Sequence, residues 1–574
     1  MPIDVQKELE INEALSAEKI PWNNHWQLVH EYFLQRKASF TTFQQPGAFL
    51  NSEIWTAIPA KAAETASSAL LGLVWPDSYS FKLEPFGDLE EDEEVREWFE
   101  ENVTKQLQAD MDDPAAGLAL ALDEFMIDFL VSGTPAIHAE EGDQSIYRFD
   151  AKNVSQFSID EGPDGYVDTF HNTYEYTVRQ AAKKFTLEKL SKKTQDAWKA
   201  KRFQDKIKVV HIIRPRDTDP EKGRGAQNMP FASIYIEIDA KHLIKESGYH
   251  ELPTFCARYS KRIGEKYGRS PAMRALPDVM ELNALWELVT IGLEKNFDPP
   301  LGVYDDGTFG GGTIDTSAGA INVMNVSSKL TGSKAPIQPL YTVGQFQDVA
   351  VLIERLENTI NDHFMIDRLL DTSNEREMTA REALIRQAIR QSSLRSVISR
   401  LLTELFDRLI ARCFNIGLRK GRYGFADGSP EAIAWQNENP GKDVKKIPEK
   451  IVQMQGSGER VYRIKYLTPA AREQQSEEVQ GILNWYEWLG QVSAFDATAL
   501  DMANVQRTAR KLAGSWAVPQ ECLNDEDELQ EIQASKAEIN KKNAQLNDAA
   551  MAASIAKDAG QAQNSMAAAQ RPPA

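Results

Sequence analysis

Three cysteines in 574 residues is few. Cys256, Cys413 and Cys522 are widely spaced and odd in number, which excludes a disulfide framework and offers no zinc-ligand spacing. They read as buried or spare thiols from a reducing compartment. Long apolar runs are also missing: no stretch approaches the length of a membrane span. The opening MPIDVQKELEINEALSAEKI has neither the basic flank nor the apolar centre of a secretory signal. The expectation is a soluble chain made in the cytoplasm. Positive charge is in short supply, with 65 Lys+Arg against 85 Asp+Glu, a net charge of −20 and a pI of about 5.1. A protein that grips nucleic acid tightly shows a basic face, so tight, static binding of that kind is not expected.

The marks of catalysis are absent as well. The loosest segment, Phe309-Gly310-Gly311-Gly312, lies in a glycine-rich insert over 299–341. A phosphate-cradling loop needs Lys-Ser/Thr after its glycines and a strand-to-helix context, and this insert has neither. That also excludes a packaging ATPase. Acidic residues are plentiful, but they fall on helix faces without the grouping a metal nuclease needs. His211 sits inside the apolar run KIKVVHIIR with no second ligand at useful spacing, so it reads as a core histidine. No catalytic residue, metal or cofactor is expected.

What is present is ample material for cores: 42% hydrophobic residues, with 24 Phe, 16 Tyr and 11 Trp. The length suggests three or four domain-sized units. Residues 1–75 read as mostly helical, with Pro76 as a stop. The acidic run 88–100 enters a helix whose first turn it suits. AAGLALALDEFMIDFLV (115–131) is a strongly apolar helix ending at Ser132-Gly133-Thr134-Pro135. Gly162-Pro163-Asp164-Gly165 is a turn between strand-like pieces. Residues 173–204 are expected as helix, and 206–214 and 231–238 as strands, with a possible third over 255–260. Residues 76–265 therefore look α+β.

From Pro277-Asp278 a helix is expected to run to Asp298-Pro299-Pro300, with Leu282, Leu285, Leu288/Val289 and Leu293 at helical spacing. Trp286 lies off that stripe, which would turn it toward a neighbouring subunit. A second long helix returns from Gln345, with Phe346, Val349, Ile353, Leu356, Ile360, Phe364 and Leu369 on one face. Two such helices around a compact insert make an antiparallel pair. Residues 371–378, all polar but Met378, break the pattern, and Thr379-Ala380-Arg381-Glu382 is a capping box. The helix it opens carries Leu394, Ile398, Leu401, Leu405, Leu409 and Cys413, widened by Val397, Leu402, Phe406, Ile410 and Phe414. Residues 423–475 look irregular with short strands, and 471–520 helical. Ile532, Ile539 and Leu546, seven apart, would form a seam if the last segment became a helical barrel rather than a fraying tail.

The ordered set Ser132-Gly133-Thr134, Tyr267-Gly268-Arg269-Ser270-Pro271, Leu276-Pro277-Asp278, Leu282-Asn283, Asp298-Pro299-Pro300-Leu301 and Thr379-Ala380-Arg381-Glu382 resembles the head-to-tail connector, or portal, proteins of short-tailed bacteriophages over about residues 20–420. The resemblance implies a mainly helical α+β portal fold. Its parts would be an α/β wing (1–275), a two-helix stem (276–298 and 343–370), a small β-containing clip (299–341), a tunnel loop (371–378), a long wing helix (379–422), a crown (423–520) and a C-terminal helix or barrel (521–574). It implies a ring, usually of twelve copies, at one capsid vertex of the virion, assembled in the host cytoplasm, through which double-stranded DNA slides without sequence preference. An acidic wall suits such sliding. Expected partners are the terminase large subunit, major capsid and scaffolding proteins, and tail adaptor or nozzle proteins, with no membrane. Clip docking would use Phe309, Gly310, Gly311, Gly312, Ser333 and Lys334. The tunnel loop would comprise Asp371, Thr372, Ser373, Asn374, Glu375, Arg376 and Glu377, with Arg376, its only cation, touching phosphate transiently. The alternatives are a head-tail adaptor that never touches DNA and a DNA-processing enzyme.

Shortening Asp371–Glu377 should leave rings intact by negative-stain microscopy while lowering the DNA retained in a packaging assay. Loss of rings would count against a tunnel role.

Overall fold

The computed structural model describes residues 3–42, 53–76, 80–216, 226–305, 315–325, 337–339, 347–370, 394–438, 445–457, 461–467 and 481–491, apart from positions 91 and 143, together with isolated positions between 47 and 542. Two compact units divide the chain, Met1–Gln474 and Gln475–Ala574. In the second, residues 481–491 are helical. Cys522 and the Ile532, Ile539, Leu546 seam lie outside the described residues.

In the first unit, helix α1 (Val5–Phe33) is capped by Asp4, whose carboxylate accepts from the amides of Gln6 and Lys7. Helix α2 (Ile58–Val74) stops just before Trp75-Pro76, as the proline requires. Helix α3 (Glu93–Glu97), capped by Asp92, widens into a π-helical stretch, Trp98–Thr104, and continues as α4 (Lys105–Met111). Helix α5 (Leu118–Val131) is the apolar helix expected from sequence. It is buried on most sides, which explains the lack of a polar face.

Two antiparallel sheets follow. One has the order β3-β2-β9, from β2 (Ala136–Glu141), β3 (Tyr147–Lys152) and β9 (Thr254–Cys256). The other is a meander of β4 (Phe157–Glu161), β5 (Val167–Thr177), β6 (Lys206–Pro215), β7 (Phe231–Glu237) and β8 (His242–Tyr249). Along β6 the side chains alternate between two cores. Ile207 and Val209 meet Val178, Phe185 and Leu190, whereas Val210 and Ile212 share the other face with Leu9 of α1. His211 follows Ile207 and Val209 on their face, buried and stacked on Tyr235 at 3.9 Å with Nε2 2.9 Å from Ser233 Oγ. Burial holds it well below the usual imidazole range. A second buried histidine, His138, lies 6.3 Å away ring to ring. Among the described residues no group of three or more His, Cys, Asp or Glu could hold a metal.

Several expectations change. Residues 173–177 belong to β5, and the helix expected over 173–204 is two short ones, α6 (Val178–Phe185) and α7 (Lys192–Lys199). The break falls at Thr186, whose φ of 70° no helix accommodates. Strand β8 had no sequence signal, because an edge strand that is half-exposed along most of its length need not alternate. The region after 423 contains helices Pro430–Glu438 and Glu449–Ser457, and its strand β13 (Tyr462–Tyr466) pairs with β1 (Phe81–Pro85). Strand β13 thus ties the region around Tyr462–Tyr466 to the N-terminal part of the chain.

The helix after the capping box is described from residue 394, and Thr379–Glu382 lies outside the described residues. It winds through a π-helical turn, Leu401–Phe406, into Asp407–Arg419. Its broad apolar face is buried in the main core, with Leu402 partly covered. Three polar ties hold it. Arg412 Nε donates to Ala139 O at 2.8 Å, and Tyr147 OH donates to Cys413 O at 2.9 Å. Glu404 accepts from Arg258, from its backbone N at 2.9 Å and from its guanidinium at 2.9 and 3.3 Å. Arg258, fully buried, also bonds Glu161 and donates to Gly165 O at 3.0 Å.

Removing one partner of a buried pair strands the other charge, whereas replacing both with apolar residues does not. Glu404→Ala should therefore cost about 3–5 kcal/mol in urea denaturation, and the double change Arg258→Met with Glu404→Leu should recover most of it. Equal losses in both variants would show that the pair acts by packing alone.

Candidate functional site

The long helix α8 (Pro271–Phe297) begins earlier than the expected Pro277. Ser270 is its N-cap: Oγ accepts from Met273 N at 3.1 Å and donates to Val131 O at 2.7 Å. Pro271 at the first helical position needs no amide partner. Pro277 is carried inside the helix. Ser270-Pro271 is itself a helix-start signal, a capping hydroxyl followed by proline at the first position.

The root of α8 is set by a close backbone crossing. Gly133, in the left-handed region at φ +77°, follows the end of α5 as a helix-terminating glycine. A Cβ there would meet Gly268 O at 2.7 Å, and one on Gly268 would meet Gly133 O at 2.4 Å. Thr134 Oγ1 accepts from Gly268 N at 2.8 Å, and Tyr259 N donates to Gly133 O at 3.1 Å. Two motifs more than 130 residues apart in sequence, Ser132-Gly133-Thr134 and Tyr267-Gly268-Arg269-Ser270, thus form one joint. Tyr267 is wedged beside it against Trp22 and Trp26, with ring centroids 5.7 and 5.2 Å away. Burial pushes its phenol up.

Further along α8, buried Asn283 uses both ends of its amide. Oδ1 accepts from Trp55 N at 2.8 Å and Nδ2 donates to Glu53 O at 3.0 Å. Beyond Asn283 no residue of α8 is buried. Helix α9 (Gln347–His363) runs back antiparallel, with Ile353, Leu356 and Ile360 buried and His363 Nε2 3.0 Å from Asp278 Oδ2. It ends sooner than expected, because Met365 at φ 56° turns the chain into a separate short helix, α10 (Ile366–Leu370). Trp286 does not stand free toward a neighbour: it is half-buried against the protomer's own core. Instead Met280, Leu288 and Ile291, 42%, 65% and 37% exposed, form an apolar stripe on the side of α8 away from that core. Phe297, 85% exposed, stands at the tip.

Asp298 caps the C-terminal end, its carbonyl accepting from Gly319 N at 2.9 Å. There the chain enters a small sheet of order β11-β10-β12, from β10 (Leu301–Asp305), β11 (Ile321–Asn325) and β12 (Ile337–Pro339). Strands β10 and β11 are parallel, and β12 pairs with β10 antiparallel. Phe309, Gly310, Gly311, Gly312, Ser333 and Lys334 lie outside the described residues, as do Asp371, Thr372, Ser373, Asn374, Glu375, Arg376 and Glu377.

A family model described as "Bacteriophage head to tail connecting protein" matches residues 6–429. The chain belongs to this family. Among curated relatives, the portal protein of Salmonella phage epsilon15 is 24% identical over 532 residues, covering 91% of this chain and 89% of its own. The probable portal protein of Bordetella phage BPP-1 is 24% identical over 408 residues, covering 70% and 72%. Solved structures give looser fits. A chain from the virion of a native gene transfer agent particle aligns over 72% of this chain and 92% of its own at 11% identity and a TM-score of 0.31. One from the neck of a native gene transfer agent particle, computed with C12 symmetry, aligns over 66% and 85% at 12% identity and 0.31. As a head-to-tail connecting protein the chain is a phage virion component, and the joint, paired helices and small sheet all lie within the matched span.

Gly133→Ala and Gly268→Ala should each lower stability by roughly 1–3 kcal/mol in urea titrations, since each forces a Cβ into backbone. Because both changes open the same crossing, the double variant should fall short of additivity by more than about 0.5 kcal/mol.

Proposed function

We propose that this connecting protein is the portal subunit, copies of which form a ring, of twelve on the resemblance drawn above, at one capsid vertex. The paired helices α8 and α9 stand side by side as the stem around a channel for double-stranded DNA. The observation that carries this reading is the second apolar face of α8. One face packs into the protomer, and Met280, Leu288 and Ile291 form another that the protomer leaves bare. A monomeric helix needs only one such face, and a side-by-side neighbour buries the second.

The small sheet at the stem's end serves as the clip. It docks the packaging motor during filling and tail components afterwards, through the segment holding Gly310–Gly312 and Ser333-Lys334. Asp371–Glu377 projects from the inner end of the second stem helix, and Arg376 touches passing phosphates between two glutamates that keep the contact weak. The role is structural rather than enzymatic. The capsid and scaffolding proteins meet the wing.

Leu288→Glu with Ile291→Glu places charge on the bare stripe without touching the protomer core. Sedimentation velocity should show rings replaced by folded monomers with unchanged helix content. Persisting rings would sink the stem assignment.

A further inference from the structure

The chain is acidic overall, but its charge is not evenly spread. Between Val178 and Lys208, eleven Lys/Arg face three Asp/Glu, a local excess of eight positive charges in a chain of net −20. The stretch comprises α6, the turn Leu187–Lys189, α7 and the start of β6. It folds over its own small core on one face of the five-stranded sheet. All eleven cations are exposed. Asp196 and Asp205 pair with Lys199 and Arg202 at 3.7 and 3.5 Å, and Glu175 of β5 lies 3.3 and 4.0 Å from Lys206 and Lys208. Arg179, Lys183, Lys189, Lys192, Lys193 and Lys201 make no ion pair among the described residues. Lys192 and Lys193 line an open cleft of about 480 Å³ with Ser191, His242 and one carboxylate, Glu188. The positive end of α7 is already used: buried Glu237 accepts from Ser191 Oγ at 2.8 Å and Thr194 Oγ1 at 2.7 Å. The free potential here belongs to side-chain cations, not to a helix terminus.

Three features select the occupant. No large hydrophobic side chain is exposed between Leu120 and Ile263 among the described residues, so the patch lacks the apolar anchors of a protein interface. Trp198 and Phe203 pack edge-on against each other at 4.8 Å and are half-buried, leaving no platform for unpaired bases. Nine of the eleven cations are lysines, point charges suited to phosphate rather than planar forks suited to base edges. We propose that the α6–α7 face is a second contact for duplex DNA, holding backbone phosphates without sequence preference and separate from the stem and residues 371–377. The inference does not depend on the ring reading.

Fluorescence anisotropy of a labelled 30-base-pair duplex with the full-length protein, from 50 to 200 mM KCl, tests it. With about four phosphates neutralised, log K should fall against log salt with a slope near −4. The triple variant Lys189→Gln, Lys192→Gln, Lys193→Gln should lose about 3 from that slope's magnitude and bind at least tenfold more weakly at 50 mM. The matching Lys→Arg triple should retain affinity, which separates charge from misfolding. Unchanged DNA binding in the Gln triple would overturn the proposal. So would an equal loss from Lys61→Gln with Lys105→Gln, placed elsewhere, or competition by polyglutamate as effective as by unlabelled duplex. Leu288→Glu with Ile291→Glu should still bind DNA through this face, so failure of ring assembly and failure of this site read out separately.

Discussion

The crossing of Gly133 over Gly268 governs the geometry of the functional half of the molecule. Two backbones approach closely enough that neither position tolerates a Cβ. One backbone is the end of buried α5, anchored in the main core, and the other leads straight into α8. The direction in which α8 leaves the body is therefore set by backbone contact rather than by deformable side chains. That matters because the last fourteen residues of α8 have no buried anchor. At ~1.5 Å per residue they form a lever of roughly 20 Å, and a small error at the root becomes a large one at the tip.

The same crossing is coupled to the helix that follows residues 371–393. A Cβ on Gly268 would also meet the Arg258 Cβ at 2.9 Å, and Arg258 is the residue that holds Glu404 of that helix. The root of α8 and the long helix thus share one buried polar joint. It is satisfied on every side: Glu404 takes the backbone amide and guanidinium of Arg258, while Glu161 is also held by Lys261 at 2.7 Å. An apolar joint would slide. Hydrogen bonds of fixed geometry hold two long elements in one register.

Charge is partitioned in the same spirit. The outward face of α9 carries Asp348, Glu354 and Asp362 with Arg355, while a dense group of exposed cations lies on and between α6 and α7, on the five-stranded sheet. Net charge alone argued only against tight, static binding of nucleic acid. The distribution instead confines repulsion and attraction to different elements, and at physiological salt such fields extend only about 8 Å, so the two do not cancel.

Much of this was legible in residue spacing. The apolar run of α5, the stripe Leu282, Leu285, Val289 on α8, the face Leu394–Phe414 and the turn at Gly162–Gly165 all follow from local periodicity and turn chemistry, which act within a few residues. So did the kinship itself, because it rested on an ordered set of short motifs. The candidate loop residues 309–312 and 371–377 remain sequence inferences, outside the described residues. Only the tertiary structure decided that Ser132-Gly133-Thr134 and Tyr267-Gly268-Arg269-Ser270 are halves of one joint, that Trp286 turns inward while Leu288 stays bare, that β10 and β11 run parallel, and that six lysines and arginines share a face without an ion-pair partner among the described residues. Those facts depend on which distant segments meet. One-dimensional spacing carries the preferences of a helix or a turn, but not the contacts between residues more than a hundred positions apart.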